Sequence, residues 1–303
     1  MAGSRQPAEP GTLYGGLFVG VVAVSFAALF IRLAQAPPLA IASYRLVLAA
    51  LPVGLLALWL RWDELRSLTR AEVRAAVLSG FCLAGHFATW VASLKYASVA
   101  SSVALVTTSP LFVAGFAFLF IGERASRRML LAIAVCTAGG LVIGAADLVS
   151  SPSALYGDGL AIAGAAFAAA YFALGRRVRG RVSLLGYIGI VYPLSALGLL
   201  SLAVAARQPL TGFSGRTYLF FVLLALVPQL LGHTSLNWAL GYLSAPFVAI
   251  AVLGEPVLST IFAALFLAER PGPERIAGGM LILTGVYLAL REERAAAAAT
   301  VSL

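Results

Sequence analysis

Gln229, His233 and Asn237 recur every four residues through an otherwise apolar stretch. On an α-helix that spacing lays three hydrogen-bonding side chains along one stripe. A second apolar stretch holds Cys82, His86, Trp90 and Ser93 in similar fashion. Further on stands Glu255, a carboxylate near the middle of its apolar run, with Pro256 directly after it. An acidic residue at the centre of a membrane helix costs about 2.5–3.5 kcal/mol, and keeping it protonated at neutral pH costs a similar amount. Either form should face a bundle interior, where it can hold a substrate ammonium group, pass a proton, or bond across helices. Each histidine alone is explained as well by an interhelical hydrogen bond. As members of stripes, both suit the wall of one central cavity. Trp90 and Trp238 add flat surface for an apolar or aromatic ligand, or anchor helix ends at a membrane interface.

These residues belong to a pattern that the chain states twice. Ser109-Pro110 and Glu123-Arg124 recur as Glu255-Pro256 and Glu269-Arg270, and Tyr96-x-Ser98 recurs as Tyr242-x-Ser244, all at an offset of 146 residues. The Gly-His step, Gly85-His86 and Gly232-His233, slips by one residue against that register, as it would around a small helix distortion. Pro110 and Pro256 fall about eleven residues into their apolar runs, near a bilayer midplane at about 1.5 Å per residue. Proline frees a carbonyl, and such a break is tolerated where it lines a cavity or packs on a neighbour. Both are read as hinge or helix-break positions, with a plain packing kink as the other reading.

The elements that position these groups are membrane helices. The chain has 303 residues, 61% hydrophobic and 11% charged, with a mean hydropathy of +0.97. A soluble domain of that length needs more charge to cover its surface. Ten apolar stretches are read, at roughly 13–34, 38–60, 73–94, 98–121, 127–146, 157–174, 183–205, 217–239, 245–268 and 274–290, each about long enough to span a bilayer. Five spans per copy is an odd number, so the second copy enters from the opposite face. The expected fold class is an all-α polytopic membrane protein of ten transmembrane helices in two inverted five-helix repeats. The expected boundaries are repeats at 13–146 and 157–290, a linker at 147–156, and tails at 1–12 and 291–303. The first twelve residues lack a cationic leader and cleavage site, so the first span is expected to be a retained helix. Small residues such as Gly139-Gly140 and Gly278-Gly279 let helices approach closely.

The net charge of +9 is distributed by side. Fourteen arginines, among them Arg61, Arg66, Arg124, Arg176, Arg179 and Arg291, fall on one face of the predicted topology. Six cations (Arg32, Lys95, Arg207, Arg216, Arg270 and Arg275) fall on the other. That positive-inside bias predicts cytoplasmic N- and C-termini and gives no reason to invoke nucleic acid. Arg45, about seven residues inside the second span, is read as snorkelling to the outer surface. The other reading has it meeting a substrate carboxylate at the outer mouth.

Absences narrow the chemistry. The short loops leave no room for a nucleotide-binding domain, and there is no Walker loop, zincin helix or cysteine cluster. Cys82 and Cys136 read as small core residues, so neither a disulfide nor a metal site is expected. Ser25, Ser101 and Ser109 lack a nucleophile-elbow context, which leaves an integral-membrane enzyme with little support. No catalytic residue, cofactor or metal is expected, and no oligomer is implied.

The ten spans, the mid-span prolines, Glu255-Pro256, and the closing triplets Gly122-Glu123-Arg124 and Ala268-Glu269-Arg270 resemble the drug/metabolite transporter superfamily, EamA-type exporters above all. Within it, the stretch from His86 and Trp90 through Leu94-Lys95-Tyr96-Ala97 to Ser109-Pro110 is most similar to YddG-type bacterial exporters of amino acids. The resemblance implies a basket-like bundle whose cavity is lined by the first, third, fourth, sixth, eighth and ninth spans. It supports placing His86, Trp90, Gln229, His233 and Glu255 near that cavity. With Ser109 and Asn237 they form the expected substrate-binding set. The expectation is a multi-pass protein of the bacterial inner membrane, whose partners are the lipid bilayer and a small-molecule substrate. It would export neutral amino acids, aromatic ones included, or similar small zwitterions, by alternating access. A drug or other-metabolite exporter is the alternative, and an integral-membrane enzyme a third reading.

Overall fold

A computed structural model of the chain describes residues 9–97, 102, 105–106, 108–145, 152–267 and 272–301. Its described secondary structure is helical throughout. The principal helices are α1 (Pro10–Leu33, interrupted at Phe26), α2 (Pro38–Leu60), α3 (Arg70–Tyr96), α4 (Ser109–Ile121) and α5 (Arg127–Ala145). The second half follows with α6 (Pro152–Arg179), α7 (Leu184–Ala205), α8 (Gly215–Ala239), α9 (Ala245–Val252 and Gly254–Leu267) and α10 (Pro273–Val301). A short helix, Trp62–Arg66, joins α2 to α3. Among the described residues six helices are long and apolar enough to cross a membrane, and Ser109–Ile121 and Ala245–Ser259 are shorter apolar segments. Large side chains such as Leu55, Trp59, Leu119, Leu197 and Leu265 point outward unburied. A greasy perimeter of this kind is what a lipid-facing surface requires.

Local chemistry sets the helix ends. Thr69 caps α3 in a reciprocal box with Glu72: its hydroxyl accepts from the Glu72 N–H, and the Glu72 carboxylate accepts from the Thr69 N–H at 2.8 Å. Ser183 and Ser244 cap α7 and α9, and each also donates its hydroxyl at 2.6 Å to a carboxylate, Glu64 and Glu293 respectively. α4 stops at Gly122, whose φ of +79° is left-handed. That conformation suits glycine and ends the helix.

The packing obeys the repeat. Exchanging each helix of the first half with its counterpart five places on maps the α3–α6 pair onto α8–α1, and α4–α6 onto α9–α1. The α2–α7, α5–α10 and α4–α9 pairs map onto themselves. That is the contact pattern of two repeats related by a pseudo-two-fold axis. Glycines open the seams. A Cβ on Gly20 would come within 2.9 Å of Ser235, and one on Gly164 within 3.3 Å of Trp90, at the two equivalent interfaces. Between α5 and α10, a Cβ on Gly139 would lie 2.6 Å from the Gly278 carbonyl.

Candidate functional site

The helix interruptions converge on the centre of the bundle. α9 breaks at Leu253 and restarts at Gly254, which puts Glu255 in the first turn of the new segment. Free N–H groups and the helix dipole favour a carboxylate at that point. α4 starts at Ser109-Pro110, immediately after a turn at Thr108. The two matched prolines therefore both sit just inside a helix restart, where a missing N–H costs nothing. α8 is distorted differently: Ala225–His233 is π-helical, with Pro228 inside it. Proline cannot donate the α-helical bond, and the chain takes the wider i→i+5 turn instead. This is the distortion anticipated by the one-residue slip at Gly232-His233.

That wider turn splits the polar stripe of α8. A small cavity, about 60 Å³, is lined by Arg45, His86, Trp90, Ser109, His233 and Glu255, with Pro256 and the aromatic rings of Phe87, Tyr171 and Phe172. Gln229 and Asn237 are fully buried but do not line it. Gln229 instead accepts a 2.9 Å hydrogen bond from Arg45 Nε. Asn237 accepts from the Tyr171 hydroxyl at 2.7 Å, and its backbone carbonyl accepts from Arg179 Nε at 2.9 Å. Pro110 is buried beside its break and does not reach the cavity wall.

His86 and Trp90 are stacked, with ring centroids 5.8 Å apart and planes inclined by 3°. The His86 Nδ1 lies 3.0 Å from the Gly164 carbonyl, which tethers α3 to α6. His233 packs against Phe87 and Tyr171, at 5.3 and 6.2 Å between centroids. Among the described residues, Trp90 Nε1 and His233 Nδ1 are buried without a hydrogen-bond partner. A buried polar atom left unpaired costs about 1–3 kcal/mol.

Arg45 does not snorkel. It is 2% exposed, with its guanidinium 4.2 Å from the centroid of Phe87. The face of α2 decides this more than depth does. Ala42 and Ala49, one turn to either side, are buried against neighbouring helices, while Leu51, Leu55 and Leu58 turn outward. Small residues on the arginine's own face were the available signal. Tyr171, Phe172 and Phe87 were also missed, because aromatic residues in an apolar run read equally as core.

A second space, about 680 Å³, opens one helical turn beyond the cavity along three helices: Ala28 and Ile31 on α1, Ile41 on α2, and Val91 and Leu94 on α3. Arg32, Lys95 and Arg207 border it. At the opposite end of the bundle, Arg176 on α6 donates to Glu123 at 2.9 Å and to the Leu240 carbonyl at 3.1 Å, joining the ends of α4, α6 and α8. Glu123 therefore pairs across helices and not with its neighbour Arg124, which lies over Phe118 at 5.4 Å. The equivalent Glu269-Arg270 lies outside the described residues, as does Ser101.

The model of the EamA-like transporter family matches the chain twice, over residues 12–145 and 155–291. The chain belongs to the EamA-like transporter family. This EamA-like transporter is 28% identical to a probable amino-acid metabolite efflux pump of Salmonella typhimurium over 287 residues, 90% of this chain and 92% of that one. It is 27% identical to an uncharacterized transporter of Archaeoglobus fulgidus over 275 residues, 87% and 91% of the two chains. A solved crystal structure with 22% identity superposes at a TM-score of 0.75 over 94% of this chain and 98% of its own. The likeness to that solved structure shows a shared fold over nearly the whole length of both chains.

Proposed function

We propose that this EamA-like protein exports neutral amino acids, aromatic ones included, or similar small zwitterions, by alternating access. The observation that carries the reading is Glu255. It is a carboxylate at a helix restart, lining a small cavity together with the stacked His86–Trp90 pair and other aromatic side chains. A carboxylate there suits a substrate ammonium group, and the rings suit an apolar side chain. His86, Trp90, Ser109, His233 and Glu255 touch the substrate, while Gln229 and Asn237 hold Arg45 and Tyr171 on the cavity wall. Pro110 and Pro256 serve as hinges, and the repeats span 13–146 and 157–290 about a 147–156 linker.

A cavity of about 60 Å³ holds a few waters and no whole amino acid, so the site must widen to load. The larger space one turn away gives one route, and the Arg176–Glu123 contact bars the other. The charge asymmetry supports cytoplasmic termini in a bacterial inner membrane, with the Arg176 end inside. The test is counterflow of labelled Trp, Phe, Met and Thr in proteoliposomes against empty vesicles. Accumulation abolished by excess unlabelled amino acid is the expected result. Folded protein without accumulation moves the reading to drugs or other metabolites. Labelling of a single cysteine at position 66 from the outside would overturn the orientation.

A further inference from the structure

We infer that Arg45 is the receptor for a carboxylate group of the transported molecule, so that a carboxylate is a required feature of the substrate. The inference rests on the amino-acid reading above and narrows it, because Glu255 alone would accept simple amines and cationic drugs.

Three observations converge on the guanidinium. First, Arg45 Nε is committed to Gln229 Oε1 at 2.9 Å. That bond fixes the plane of the group and leaves the two terminal nitrogens as a fork. Second, Nη1 and Nη2 are both buried and have no hydrogen-bond partner among the described residues, while the residue itself lines the cavity. A forked guanidinium with both tips unpaired is the geometry that takes a carboxylate bidentately. Third, the opposite charge is present but does not satisfy it. Glu255 lines the same cavity, yet the two form no ion pair within 4 Å. The cavity thus has a cationic and an anionic pole, held apart on α2 and α9. The Phe87 ring lies under the guanidinium, 4.2 Å from its centroid to the central carbon, and occupies one face of the fork.

The unpaired donors lean the same way. Arg45 Nη1 and Nη2 and Trp90 Nε1 are hydrogen-bond donors without an acceptor among the described residues. An α-amino acid spanning the poles supplies acceptors to Arg45 and an ammonium group to Glu255. A buried site built to bond a group rejects the analogue lacking it, since its own polar atoms then stay unpaired. A substrate without a carboxylate would leave the guanidinium buried and bare.

The experiment uses the full-length purified protein and four ligands that share one ring: L-phenylalanine, L-phenylalaninamide, 2-phenylethylamine and 3-phenylpropionate. Binding is read as ligand-dependent rise in unfolding temperature and as tryptophan fluorescence, and transport as counterflow. L-phenylalanine should bind tightest and 3-phenylpropionate measurably. The amide and the amine should bind about tenfold to a hundredfold more weakly than the amino acid. Arg45→Gln should abolish the preference for acid over amide, Arg45→Lys should restore part of it, and Gln229→Ala should weaken it while the charge remains. The wild-type comparison of acid with amide needs no substitution, so misfolding of a variant does not obscure the answer. Equal binding of amide and acid, or carboxylate preference unchanged in a folded Arg45→Gln variant, overturns the inference and leaves amino-acid export standing if counterflow persists. Arg45-dependent binding of 3-phenylpropionate without amino-acid counterflow upholds the inference and removes the export reading. Binding of none of the four overturns both.

Discussion

The Tyr171 hydroxyl donates to Asn237 Oδ1 at 2.7 Å, both residues fully buried, and so ties α6 of one repeat to α8 two helices away in the same repeat. The contact lies directly behind His233, which packs on the Tyr171 ring. Asn237 in turn reaches Tyr192 on α7 at 3.4 Å, and Tyr192 lies 3.1 Å from the Thr234 hydroxyl. A network of this kind fixes Tyr171 in the cavity wall, while Asn237 itself does not line the cavity. Asn237→Ala leaves the Tyr171 hydroxyl unpaired and should lower stability by about 1–2 kcal/mol, within the range for buried hydrogen bonds in membranes. Thermal unfolding in detergent reads that loss. A variant of unchanged stability that instead loses a particular substrate would place Asn237 among the contacting residues.

Glu255→Gln keeps the size of the side chain and removes its charge. If the carboxylate holds the substrate ammonium group, counterflow should fall at least about tenfold while protein abundance in the membrane stays the same. Transport equal to wild type would remove Glu255 from the mechanism. It would recast the residue as a neutral cap on the second segment of α9.

Trp90 tests side-chain preference. Its indole stacks on His86 and lines the cavity, so it offers a ring face to an aromatic substrate. Trp90→Ala should weaken competition by Trp and Phe several-fold relative to Thr. Equal loss for all amino acids, together with lower abundance, would mark Trp90 as core.

How much of this was legible beforehand differs residue by residue. Glu255, His86 and Trp90 stood out because a polar or ionisable group deep in an apolar run has few places to go. The matched prolines stood out because the repeat supplied an internal comparison. Gln229 and Asn237 were grouped with His233 by a four-residue spacing that assumes an α-helix. The π-turn ending at His233 changes the phase, and no residue type announces such a turn with certainty. Arg45 was misjudged because its depth was weighed and its face was not. The Arg176–Glu123 pair joins residues 53 apart in sequence, and only the folded bundle brings them together.

That pair supplies the sharpest test of alternating access. Arg176 clamps the ends of α4 and α8 at the bundle end opposite the larger opening, and Arg177 adds a bond to the Phe120 carbonyl at 3.0 Å. Both members of the ion pair are partly exposed, at 25% and 29%, so its worth is about 1 kcal/mol or less. Removing about 1 kcal/mol from a closed state raises the population open at that end about fivefold. Glu123→Gln should therefore speed labelling of the cavity from the Arg176 side. The probe is a single cysteine introduced by Ala168→Cys, in a background where the buried Cys82 and Cys136 are replaced. Arg176→Gln should behave alike, and the double substitution should add little to either one. Labelling that stays at the wild-type rate in all three, with a lowered unfolding temperature, would show the pair to be a structural brace and no part of a gate.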